Sequence, residues 1–274
     1  MNFSFKPLMM GLLVLFTTFT ACEEDEHPHD ETVPNTENLT LIASGYTDAG
    51  SMQVKLWAEG ALEAKYTNFF VEVRDSATSE LIDDAHVELM PMMDMGSMQH
   101  AAPYENPASA DAVEGLFPCA VVFQMPGEMG WELTIHVHNH HSEGEGEVSF
   151  PLSVAAPTVA RTSMVTGNNG TDKYIISYVQ PSAPQVGMNT MEVTVHKKES
   201  MMSFPADTTL SIVMEPLMPS MGHGSPNNVN PTHTANGHYV GQVNFTMTGE
   251  WVVDFTLLNG TDTVVSLVSF DVTL

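Results

Sequence analysis

The sequence predicts an all-β chain, two tandem β-sandwich domains behind an export signal and an acidic tether. Three observations carry this. Short runs of alternating apolar and polar residues recur along the chain, separated by Gly, Pro, Asn and Asp. No long stretch has the three-to-four spacing of an amphipathic helix. One signature also occurs twice: Met95-x-x-Met98-x-His100 and Met218-x-x-Met221-x-His223. Each copy is followed at nearly the same distance by Met-x-Gly-Glu and a Trp: Met125, Gly127, Glu128 and Trp131, then Met247, Gly249, Glu250 and Trp251. Self-similarity of this kind marks a duplicated domain.

Taken in order, residues 1–21 read as a signal peptide. Lys6 precedes an apolar run from Leu8 to Ala21. That run is shorter than the roughly 20 residues needed to span a bilayer core. Phe19-Thr20-Ala21-Cys22 resembles the lipobox of bacterial lipoproteins, which makes Cys22 the expected lipidation site; ordinary cleavage with a free Cys22 is the alternative. Residues 22–37 are then the lipidated cysteine and a flexible acidic tether. Its Glu23-Glu24-Asp25-Glu26 cluster resembles the export signal of surface lipoproteins in Bacteroidota, or serves as a solvated spacer. The expected location is the bacterial cell envelope, lipid-anchored at the outer membrane with a periplasmic or surface-exposed face.

Domain one is expected over 38–156, with strands at 52–57, 69–73, 120–123 and 148–154. The small-residue and proline break Ala155-Ala156-Pro157-Thr158 separates it from domain two, 157–274. Strands there are expected at 174–179, 191–196, 210–213, 239–245, 251–257 and 264–272, with a hairpin turn at Asn259-Gly260. Residues 115–125 align without gaps to 237–247. Alternation puts Phe117, Cys119, Val121 and Phe123 on one face, matched by Tyr239, Val243 and Phe245. The shared face is the core face, and Cys119 reads as a small buried hydrophobe. With Cys22 lipidated, Cys119 has no intrachain disulfide partner.

The net charge is −26, with only eight Lys and Arg. Nucleic acid and anionic headgroups need the opposite sign, so neither is an expected partner. The chain carries no phosphate-cradling glycine loop, no nucleophile elbow and no His-Glu-x-x-His. It reads as a protein that is not an enzyme.

Three groups of side chains could hold metal. Thioether and imidazole suit soft copper, so Met95, Met98 and His100, and likewise Met218, Met221 and His223, are candidate Cu(I) ligands. A straight strand would point i and i+3 to opposite faces; Pro91, Gly96, Pro216, Pro219, Gly222 and Gly224 predict the bend that would bring them together. The alternative is methionines packing a loop over the open end of the sandwich. Met125 and Met247 share parity with Phe123 and Phe245 and are expected to point inward. The third group is His136, His138 and His140, side by side on one strand face, suited to Cu(II) or Zn. The matching strand from Trp251 keeps the core face without the histidines. His27 and His29 read as tether residues, and His86, His196, His233 and His238 as surface or packing residues.

The run Met218-Pro219-Ser220-Met221-Gly222-His223-Gly224-Ser225-Pro226, with Gly237-His238-Tyr239-Val240-Gly241 and Met247-Thr248-Gly249-Glu250-Trp251, resembles the YtkA-like domain. That family is related to FixH-like proteins and found near copper-handling and heavy-metal efflux systems. The resemblance implies an immunoglobulin-like β-sandwich with its Met-His loop at one end. Domain one is a more divergent copy: it has Met98-Gln99-His100 where the family pattern has Met-Gly-His, and Met129-Gly130 are inserted before Trp131. The expected function is an envelope lipoprotein that sequesters copper or delivers it to an efflux or oxidase-assembly protein. The alternative is a metal-independent spacer, adhesion or protein-interaction module.

Overall fold

The computed structural model describes Met1 and residues 33–274. The expected signal peptide, Cys22, most of the tether, and His27 and His29 lie outside the described residues. The described residues form 18 strands and no helix.

In the first sandwich one sheet runs, in spatial order, β1 (Thr40–Tyr46), β2 (Met52–Ala58), β3 (Tyr66–Asp75), β7 (Phe117–Val122) and β6 (Tyr104–Glu105). The facing sheet runs β5 (Gln99–Ala101), β4 (Ala85–Asp94), β8 (Gly127–Asn139) and β9 (Gly144–Val154). The second sandwich pairs β10 (Thr162–Thr166), β11 (Lys173–Gln180), β12 (Gly187–Lys198), β16 (His238–Phe245) and β15 (Val229–Ala235) with β14 (His223–Gly224), β13 (Ser211–Met218), β17 (Glu250–Asn259) and β18 (Asp262–Thr273). Position for position, the two strand orders are the same. This is a tandem immunoglobulin-like β-sandwich, and the stretch between β9 and β10 contains the Ala155–Thr158 break.

Each sandwich has its own core, built by period-two alternation. Met52, Val54, Leu56 and Ala58 of β2 face Trp131, Leu133, Ile135 and Val137 of β8 across the first interior. Trp251, Val253, Phe255 and Leu257 of β17 do the same in the second. Burying each of the larger aliphatic or aromatic side chains contributes about 1.5–3 kcal/mol. Intervening positions on β17, such as Asp254 and Thr256, stay half-exposed.

Three details depart from the expectations. β4 was not foreseen, because Pro91 interrupts it. Its neighbour β5 is short, and Ala102 N donates to the Pro91 carbonyl on that edge, so the missing proline N–H costs no ladder bond to β8. The edge strands β1 and β10 lack a clear apolar stripe and so left little trace in the sequence. The final hairpin closes with Asn259 opposite Asp262, so the two-residue loop is Gly260-Thr261, one step beyond the expected Asn259-Gly260. Gly260 takes the left-handed conformation there, at φ 60°.

The two sandwiches lie within one compact unit, 32–274. A small apolar cluster joins them: Ala101 and Val122 from the first, Ile175 and Phe204 from the second. Ala101 N donates to Met201 O at 2.8 Å. Next to it, His238 of β16 reaches Glu105 of β6 at 2.8 Å and Glu192 of β12 at 2.7 Å.

Candidate metal centre

In the second sandwich β13 turns through residues 219–222 and returns as β14, with Met218 paired to His223. Gly222 permits the tight turn at φ 66°, and its N–H bonds Met218 O at 2.9 Å. In the first sandwich the turn between β4 and β5 is longer by two residues, and the residue paired to His100 is Met93. Met95 sits beyond it on the turn, its N–H bonded to Met98 O at 2.9 Å. Directly paired residues of an antiparallel ladder share a face. Met93 with His100, and Met218 with His223, therefore stand side by side.

The shared face is the inner one. Met93, His100 and Met218 are buried and His223 is half-buried. Each histidine meets the edge of a buried tryptophan: His100 with Trp131 at 5.6 Å between ring centres, His223 with Trp251 at 6.1 Å. Each indole N–H is tied to a carbonyl, Trp131 to Met125 O and Trp251 to Met247 O. The glycine of the repeated Met-x-Gly-Glu motif now has a reason. A Cβ at Gly127 would stand 2.8 Å from Met93 Cε, and one at Gly249 would stand 3.1 Å from Met218 Cε. The motif clears room for one buried thioether methyl in each copy.

This equivalence corrects the sequence alignment. Met93, rather than Met95, occupies the position of Met218. Met95, Met98 and Met221 are exposed on the turns. Both methionines lie beyond the ends of β7 and β16; Met125 still packs against the first core as expected, whereas Met247 is exposed, contrary to the expectation that it points inward.

The imidazoles share one tautomer. His100 Nδ1 lies 2.9 Å from Ala101 O and His223 Nδ1 lies 2.9 Å from Gly224 O. A carbonyl only accepts, so Nδ1 carries a proton, and in the neutral ring the lone pair is then on Nε2. A ring fixed through one nitrogen, with the other basic, is the form in which histidine ligates metal. The residues present thus fit a soft monovalent ion: one preset imidazole and one buried thioether per hairpin, with Met98 or Met221 on the adjoining turn.

The histidine row lies on the outer face of β8. His136 pairs with Glu145 at 3.1 Å, His138 approaches Glu143 at 3.5 Å, and His140 Nδ1 meets Asp84 at 2.6 Å. His86, which the sequence left isolated, is the direct partner of His138 across the β4–β8 ladder. Among the described residues, no three His, Cys, Asp or Glu side chains already converge on one point.

Three other residues lie apart from these groups. Cys119 is buried in the first core, and burial pushes its thiol pKa up, which keeps it an inert hydrophobe. His196 and His238 are packing residues, within the expected range: His238 bridges the two sandwiches, and His196 is buried close enough to feel the charge of Glu105. Burial alone would lower the His238 pKa, but hydrogen bonds to Glu105 and Glu192 outweigh it and raise it to about 9. Burial holds His196 down at about 4, against a partial offset from Glu105.

Residues 168–256, within the second sandwich, match the family model described as YtkA-like. No curated protein matches the chain. Among solved structures it is similar to domains 5–6 of the S-layer protein SbsC, at 15% identity over 86% of this chain and 99% of that one, with a TM-score of 0.27. It is also similar to the D00-D0 domain of intimin, at 11% identity over 81% and 100%, TM-score 0.24. The titin immunoglobulin tandem A164-A165 matches at 13% identity over 78% and 89%, TM-score 0.18. The fold assignment rests on the strand pairing described above, not on these likenesses.

Proposed function

We propose that the chain is an envelope copper-binding protein whose two Met–His hairpins hold Cu(I). Met93 and His100 serve the first, Met218 and His223 the second, and Met98 and Met221 add a thioether from each turn. The carrying observation is the repeated pair: a buried methionine beside a histidine whose Nδ1 is committed to a carbonyl, in both copies, despite turns of different length. Thioether sulfur is neutral and soft, which suits Cu(I). Ligands on an exposed turn can be exchanged one at a time, which suits sequestration or hand-over to an efflux or oxidase-assembly protein. The lipid anchor at Cys22 and the envelope location belong to the same proposal. No bond-making chemistry is required.

The test is Cu(I) titration of the full chain against a chromogenic chelator, with tryptophan emission followed in parallel. Trp131 and Trp251 adjoin the histidines, so binding should quench them. Met93→Leu/Met218→Leu keeps volume and removes sulfur. Binding with quenching, lost in that double variant, supports the proposal. Absence of Cu(I) binding in the native chain would favour a metal-independent spacer or interaction module.

A further inference from the structure

We infer that the outer face of the first sandwich carries a second metal site, of a different class, formed by His86, His138 and His140. It is independent of the hairpin reading: it lies on the opposite side of the sheet from the buried Met93 and uses no sulfur.

The ladder makes the cluster. His86 on β4 stands directly opposite His138 on β8, so the two share a face. His140 is two residues on along β8 and points the same way. Ring centres are 4.5 Å apart for His86 and His140, 5.3 Å for His138 and His140, and 6.5 Å for His86 and His138. Imidazoles sharing a tetrahedral ion at metal–nitrogen distances of about 2.0–2.1 Å have ring centres roughly 5 Å apart. His140 stands near that spacing from both other rings, while His86 and His138 are wider apart, so side-chain rotation on the fixed sheet is needed to bring the three nitrogens together. His136, on the same face, is left out of these ring contacts and is held by Glu145.

Asp84 supplies the supporting shell. Its carboxylate lies 2.6 Å from His140 Nδ1, which fixes that ring with Nε2 as the free nitrogen. A carboxylate behind a histidine orients the ring and raises its basicity as a ligand. Asp83, Glu143 and Glu145 surround the row with negative charge, and among the described residues no lysine or arginine pairs with them. Three imidazoles without thioether select a borderline divalent ion, Zn(II) or Cu(II), over Cu(I). At the positions of His86 and His138 the second sandwich pairs Ser211 with Leu258, so the sandwich fold does not require the histidines.

The experiment is Zn(II) titration of the full chain against a competing chelator, because Zn(II) has little use for thioether. One Zn(II) site is expected. His86→Gln and His138→Gln should each abolish competitive binding, and Asp84→Asn should weaken it by about 10- to 100-fold. His136→Gln and Met93→Leu/Met218→Leu should leave it unchanged. These are exposed or half-exposed positions apart from the methionines, and circular dichroism will verify folding. No Zn(II) binding by the native chain, a His86→Gln variant that binds normally, or equal loss in His136→Gln would each overturn the inference. Loss of Cu(I) binding with Zn(II) binding intact, or the reverse, separates the two sites.

Discussion

The first and second hairpins are built from the same pair of residues, yet they differ in what surrounds them. β5 lies against the second sandwich: Ala101 is bonded to Met201 and packed with Phe204. His100 is accordingly buried. β14 has no such neighbour among the described residues, and His223 is half-exposed while Met221 is 62% exposed. The fold sets the Met–His pair, and the docking of the neighbouring domain sets its access. A protein that stores and passes on an ion can use one guarded site and one open site.

The largest effect should come from removing the tryptophans that floor the two hairpins. Trp131→Ala and Trp251→Ala should each cost about 3–5 kcal/mol, read as a fall in thermal unfolding temperature. Comparable losses would fit two separate, equivalent cores. A negligible loss at either position would break the equivalence.

Next is the contact that makes the first hairpin different. His238 has a folded pKa of about 9, above its ordinary 6.5, so its stabilising link between Glu105 and Glu192 is complete below pH 6.5 and is lost as pH rises toward 9. His196, held near 4, acts in the opposite direction: stability is lost as pH falls from 6.5 toward 4. Docking of the two sandwiches should therefore be tightest near pH 6.5. Thermal unfolding across pH 5–9 should show that maximum, and His238→Gln should flatten its alkaline side. An unchanged alkaline slope in that variant would contradict the assignment.

A smaller effect concerns exchange. Transfer of Cu(I) to a chelator should be faster from the second hairpin than from the first, measured by stopped-flow on the Met93→Leu and Met218→Leu single variants. His238→Gln should narrow the difference by loosening the contact over β5. Equal rates from both hairpins would remove the guarded-and-open distinction. The smallest expected change is in stability: each Met→Leu exchange should cost less than about 1.5 kcal/mol.

Much of the fold was legible. Alternation in Trp251–Leu257 and Phe117–Phe123 gave strand and core face together, because period two leaves few alternatives when one face is buried. The candidate site was only partly legible. Met95-x-x-Met98-x-His100 copies the spacing of its counterpart, but a turn two residues longer moves the true partner back to Met93. Spacing along the chain does not report register across a hairpin. The same limit hid His86, since nothing local to it says that His138 lies opposite. The signal that could have found Met93 was the glycine of Met-x-Gly-Glu, which implies that something bulky packs over it.

The most direct measurement compares Met93→Leu with Met95→Leu for Cu(I) binding by the full chain. The account predicts that Met93→Leu removes the first hairpin's copper while Met95→Leu retains it. Loss in Met95→Leu with full binding in Met93→Leu would contradict the register on which the copper site rests.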